Sequence, residues 1–248
     1  MQAEQPITLY GVMSPNVMKV AIMLEELGTP YQLRFVALFK GEQFSPEFLA
    51  LNPLGKVPVV TGGGLDHPLA ESGAILIWLA ERHGRFLPQN SYDRYEVLQW
   101  LMIQMSSIGP MLGQHTHFRL VPAGSEPYAL ARYRTMAEKL YRSLDERLVK
   151  REWLAGSAYS IADIATFPWA EYLERHDFPI GEYPHLQRWR DTIGKREAVA
   201  RARTRIVTEF ADISTRQMQE ASGKELDRFF GRTDKMPEQD YSAAKQLR

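Results

Sequence analysis

"LYGVMSPNVMKVAIMLEE", residues 9–26, holds the join on which the fold turns. Residues 7–10, Ile-Thr-Leu-Tyr, alternate apolar and polar like a strand, and Ser14-Pro15-Asn16 follows. Val17, Val20, Ala21, Leu24 and Leu27 then recur at helical spacing. Pro15 suits the first helical turn, where its missing N–H has no partner to lose. Gly28 is a C-terminal stop. Tyr31, Leu33, Phe35 and Ala37 alternate again. A strand, a helix and a second strand in that order predict a parallel pair, because a crossover helix returns the chain in its starting direction.

Outward from this unit, the pattern predicts a short helix at 46–51, a strand at 57–60 and a hairpin turn at Gly62-Gly63-Gly64. A fourth strand is expected near 68–70. "ESGAILIWLAERHG", residues 71–84, reads as a helix with an apolar stripe of Ile75, Leu76 and Leu79, rimmed by Trp78 and stopped at Gly84. The order β-α-β-α-β-β-α defines an α/β domain over residues 1–88. "LPQNSYDRYE", residues 87–96, carries a linker, placed at 89–94. From there strand patterns cease. Helical patterns at 93–111, 126–149, 161–176, 185–195 and 197–209 predict an all-helical second domain over 95–210. Residues 211–248 are polar with weak periodicity and read as a mobile extension, in which Leu226, Phe229 and Phe230 tie down one turn.

The chain is 44% hydrophobic and 24% charged, which supports a packed core, and its formal net charge of zero provides no long-range field for nucleic acid or an anionic membrane. The first ten residues lack the basic and apolar regions of a secretory signal, and apolar runs are too short to span a bilayer, so a cytoplasmic location is expected. These 248 residues contain no cysteine. That excludes a disulfide, a thiolate metal site and a cysteine nucleophile within them. His115 and His117 in "GQHTHFR" lack a third ligand at suitable spacing and are expected at the surface or in a cleft, with no metal.

Three joins combine groups that can bind a ligand. At Ser14–Asn16, a hydroxyl and an amide stand at a helix start, where unpaired N–H groups and the helix dipole favour an anion, a thiolate among them. Read alone, Ser14 is more simply a helix cap. At Val57-Pro58, a cis bond would turn the Val57 backbone toward an extended peptide, whereas an ordinary trans proline would merely start a strand. At Glu71-Ser72, the carboxylate suits an ammonium and the hydroxyl a carboxylate, or the pair caps the helix. "YSIADIA", residues 159–165, has Ser160 and Asp163 at capping-box spacing and reads as structural.

Taken in order, these features resemble the glutathione transferase family over roughly residues 6–208. The β-α-β-α-β-β-α unit with its Val-Pro is similar to the thioredoxin-like half of that fold. "ESGAILIWLAERHG" is similar to the family's glutamate–serine segment, and "SIADIATFPW" to its second-domain capping motif. "SPN", "KGEQFSPEFLALNPLGKVP", "LQWLMIQMSSIGPMLGQHTHF" and "YALARYRTMAEKLY" resemble the nu class, which includes bacterial disulfide reductases and a yeast nitrogen-regulating prion protein. Ser14 stands where that class has threonine.

The resemblance implies glutathione as co-substrate, with Asn16 donating to its sulfur and Ser14 helping. It implies that the Val57-Pro58 backbone pairs with the cysteinyl unit, Glu71 and Ser72 hold the γ-glutamyl end, and Gln43 and Lys56 lie near the glycyl end. It also implies a homodimer in which Arg132 reaches the neighbouring site. A disulfide or electrophile is expected against Met111, His115, His117, Phe118 and Trp169. The activity expected is disulfide reduction with weak transferase activity. The alternative is a binding or regulatory module on the same fold, although no Asn-rich segment like the yeast relative's is present.

Overall fold

The computed structural model describes residues 5–120, 126–232, 240–242 and 245. Strand β1 (Ile7–Gly11) leads into α1 (Pro15–Leu27), and β2 (Tyr31–Phe35) pairs parallel to β1 from Ile7↔Tyr31 to Gly11↔Phe35. After α2 (Pro46–Leu51), β3 (Val59–Thr61) and β4 (Leu69–Ala70) add on antiparallel, giving the order β2-β1-β3-β4. The third strand begins two residues later than its sequence pattern suggests. Val57-Pro58 is a cis peptide and stands outside the ladder, to which proline has no N–H to give. α3 (Ser72–His83) closes the unit and ends at Gly84 as expected.

The rest is helical: α4 (Ser91–Ile103), α5 (Gly109–Leu120), α6 (Pro127–Leu148), α7 (Ile161–Ala170), α8 (Pro184–Gly194), α9 (Glu197–Glu220) and α10 (Gly223–Phe229). α4 and α5 form one run joined by a π-helical turn, Gln104–Ile108, in which the Gly109 N–H reaches back to the Gln104 carbonyl. Pro110, which has no N–H to donate to the helix ladder, follows directly after this wider turn.

One buried cluster runs through both domains, from Leu9, Val20 and Leu24 to Ile164, Phe167 and Trp189. The end of α1 is clamped by ion pairs from α9 and the residue before it, with Arg196 Nη2 2.9 Å from Glu26 Oε2 and Arg201 Nε 2.9 Å from Glu25 Oε2. α9 continues past the expected end at 209, because Val199, Ala202, Ile206 and Phe210 keep one face buried into its second half. Beyond it, α10 starts on a Ser222–Glu225 capping box and seats Leu226 in a small cluster with Ala221 and Tyr241, flanked by Phe39 and Phe230. The turn expected from Leu226, Phe229 and Phe230 is therefore this helix. The mobility expected of the stretch falls in part on residues outside those described. Among the described residues, no helix is long and apolar enough to cross a membrane.

Candidate active site

The amino end of α1 opens into a cleft of about 430 Å³ between the two domains, a volume suited to a small molecule. Asn16, Lys56, Val57, Pro58, Glu71 and Ser72 all line it. Six of the nine candidate residues, drawn from three separate joins, thus meet around one space. Ser14, Gln43 and Arg132 do not line it.

Ser14 accepts from the Val17 N–H at 3.4 Å and so acts as the cap of α1. This use occupies an oxygen lone pair and leaves the hydroxyl proton for another acceptor. Asn16 is held by the second domain, where Trp169 Nε1 donates to its Oδ1 at 3.0 Å. An indole N–H is a donor only, so it fixes which way the amide faces and leaves Nδ2 to donate elsewhere. The Val57 backbone has no hydrogen-bond partner among the described residues. Asn52, buried beside it, donates from Nδ2 to the Lys56 carbonyl at 2.8 Å and accepts from the Leu54 N–H at 3.1 Å. That pair fixes the turn before the cis peptide. Glu71 lies exposed at φ +69°, a strained conformation for a residue with a side chain, and its carboxylate caps nothing.

Gln43 is buried behind the loop, and its Oε1 has no partner among the described residues. Its backbone carbonyl would lie 2.9 Å from a Cβ at Gly55, next to Lys56, so only a glycine lets the two segments close up. Arg132 is exposed on α6, away from the cleft of its own chain. Of the second-domain side chains expected against the substrate, Trp169 lines the cleft and the rest do not. His115 is a correction. It is buried inside the helical domain against His176 and Phe178, and burial pushes its imidazole down to about 4. Among the described residues no group of side chains suits a metal ion.

Lys19 and Gln104 also line the cleft and are both buried, and the sequence reading did not single them out. Lys19 Nζ donates to Gln104 Oε1 at 2.7 Å, to Ser72 Oγ at 3.3 Å and to Met105 Sδ at 3.7 Å. The signal in the sequence was a single lysine in a helix that is otherwise apolar on nearly every side, with Val17 and residues 20–24 all buried. Such a lysine has no route to solvent and must find partners inside.

Burial lowers the Lys19 ammonium from 10.5 to about 7, with Glu71 opposing the fall. The unfolded chain therefore holds more protons at this site between those values, and the contribution of Lys19 to stability rises with pH across the window. Denaturant midpoints at about pH 7 and about pH 9 should show the wild type gaining relative to Lys19→Met as pH rises. Parallel behaviour of the two proteins would contradict the shift.

Comparisons with known proteins agree with this architecture. Residues 5–81 match the model of the glutathione S-transferase N-terminal domain, and residues 100–197 that of the C-terminal domain. The chain is 41% identical over 201 residues to the disulfide-bond oxidoreductase YfcG of Escherichia coli (strain K12), covering 79% of this chain and 94% of that protein. A glutathione transferase family member from Pseudomonas fluorescens pf-5, solved with two glutathione molecules bound, is 42% identical with a TM-score of 0.73, covering 82% of this chain and 94% of that one. A glutathione transferase from Pseudomonas putida, solved with one glutathione disulfide per subunit, is 37% identical with a TM-score of 0.75, covering 82% and 92%.

Proposed function

Because the chain belongs to the glutathione S-transferase family, we propose that it is a glutathione-dependent disulfide-bond reductase of the nu class, with weak transferase activity toward electrophilic carbon. The observation that carries this reading is the Asn16 amide, fixed by Trp169 at the start of α1 in a protein without cysteine. The nucleophile is then the sulfur of glutathione. A free thiol has a pKa of about 8.5, so only a few per cent is thiolate at neutral pH. Lowering that value by one unit requires about 1.4 kcal/mol of preference for the anion. One or two charge-assisted hydrogen bonds and a helix N-terminus supply that much.

The bound thiolate attacks one sulfur of a disulfide. A mixed disulfide with glutathione forms, and the other half leaves as a thiolate that takes up a proton. A second glutathione thiolate then attacks the mixed disulfide, yielding glutathione disulfide and the second thiol. The solved relatives with two glutathiones or one glutathione disulfide bound are compatible with both halves of this cycle.

In this reading Asn16 and Ser14 serve the sulfur, Val57 and Pro58 present the backbone to the cysteinyl unit, and Glu71 and Ser72 hold the γ-glutamyl end. Gln43 and Lys56 serve the glycyl end. Residues 1–88 form the glutathione-binding domain, 89–94 the linker, 95–210 the helical domain and 211–248 the extension. The protein works in the cytoplasm as a homodimer, with Arg132 reaching the partner's cleft. Support for a pairing surface comes from Tyr92, Tyr95 and Met102 exposed on α4 and from Tyr128 exposed one turn from Arg132 on α6.

Calorimetry with reduced and oxidised glutathione, together with turnover of a small dialkyl disulfide, tests the reading. Saturable binding and glutathione-dependent reduction are expected. No binding of either form would end it, and binding without turnover of any disulfide or electrophile would favour the regulatory module.

A further inference from the structure

Two amides border the cleft, and the oxygen of each accepts from a nitrogen donor of another element. Trp169 fixes Asn16, and Lys19 fixes Gln104. Gln104 is wholly buried at the first position of the π-helical turn. Lys19 Nζ donates to the Gln104 oxygen at 2.7 Å, so the amide nitrogen faces away from it. That nitrogen is buried and has no hydrogen-bond partner among the described residues. It would lie 3.0 Å from a Cβ at Gly109, and Trp169 Nε1, the group that holds Asn16, would lie 3.4 Å from the same point. Gly109 lines the cleft as well. The missing side chain at 109 thus leaves no methyl group against the buried Gln104 amide nitrogen, beside the Asn16–Trp169 pair.

A buried donor left without a partner is costly, and its place at the edge of a binding space calls for an acceptor there. We infer that Gln104 donates a second amide N–H to the sulfur anion that Asn16 holds, and that Lys19 is the positioning residue that keeps Gln104 turned toward it. The inference rests on the glutathione reading above. The contacts of Lys19 Nζ are Gln104, Ser72 and Met105. Its role passes through the Gln104 amide. The helical domain thereby contributes to a site whose other polar groups come mainly from the first domain.

The test is the ultraviolet absorbance of the bound glutathione thiolate as a function of pH, in the wild type and in Gln104→Met, Gly109→Ala and Lys19→Met. Gly109→Ala places a methyl group 3.0 Å from the Gln104 amide nitrogen and favours the helix, so it tests the same donor if Gln104→Met fails to fold. In each variant the thiol of bound glutathione should titrate about one unit higher, and turnover near neutral pH should fall about tenfold. S-methylglutathione, which has no thiol to ionise, should bind Gln104→Met and Gly109→Ala as tightly as it binds the wild type. A folded Gln104→Met or Gly109→Ala protein with an unchanged thiol titration would overturn the inference and leave the glutathione reading intact. A wild type that binds no glutathione would remove both.

Discussion

An Asn16→Ala variant is expected to bind glutathione and to lose about a hundredfold in turnover, the usual cost of removing one preorganised donor from a developing or resident anion. The tripeptide has other anchors in this reading, at Val57, Glu71 and Ser72, so affinity should change little while the sulfur loses its donor. The substitution also strips the Trp169 indole N–H of its acceptor, in a side chain only 8% exposed. That orphaned donor should cost about 1–3 kcal/mol of stability. Turnover must therefore be measured well below the melting temperature and expressed per folded molecule. Asn16→Asp separates the two effects. Its carboxylate still accepts from the indole and restores stability, yet it places a negative charge where the thiolate should sit, so its turnover should fall below that of the alanine variant. Turnover equal to wild type in Asn16→Ala would remove this residue from the mechanism.

The joins were legible in the sequence because they occur together and in order, although each alone also reads as a plain cap or strand start. Ser-Pro-Asn at a strand end, Val-Pro before a short strand and Glu-Ser before a periodic helix are local patterns, and local patterns need no knowledge of the tertiary fold. Asn16, Val57, Glu71 and Ser72 do meet at one cleft. What stayed hidden depends on contacts distant in sequence. Lys19 and Gln104 lie 85 residues apart, and a glutamine in a helical pattern reads as solvent-facing until a partner helix covers it. The π-helical turn that carries Gln104 leaves no periodic trace, since its extra residue shifts the register only once. His115 was misplaced for a similar reason. Two histidines near a helix end read as surface or cleft groups, whereas α5 turns His115 inward against His176, whose ring is occupied by Thr116 and Tyr141 at 2.8 Å each. Periodicity assigns a face to an element but does not say what covers that face.

The largest loss of stability is expected at Asp163, far from the chemistry but tied to it. This carboxylate lies wholly buried in the first turn of α7 and accepts from the Leu154 N–H at 2.9 Å, the Ser160 N–H at 3.0 Å, the Ser160 hydroxyl at 3.1 Å and Trp189 Nε1 at 2.9 Å. It closes the capping box of the helix and also holds the segment before it and α8 beside it. Asp163→Ala leaves those donors without an acceptor inside the core, a loss of about 3–5 kcal/mol by analogy with other broken buried networks. For a domain of this size the melting temperature should fall by roughly 10 °C or more. Asp163→Asn keeps the volume and one acceptor oxygen but turns an NH₂ toward donors, so it should recover only part of the loss. The tie to the site is Trp169, which lies on the same helix and donates to Asn16. If α7 keeps its place once folded, turnover per folded molecule at low temperature should match the wild type while the melting temperature drops. A fall in both would mean that the cap holds Trp169, and through it the Asn16 amide, in line. A melting temperature unchanged in Asp163→Ala would show that the four contacts do not carry the stability assigned to them.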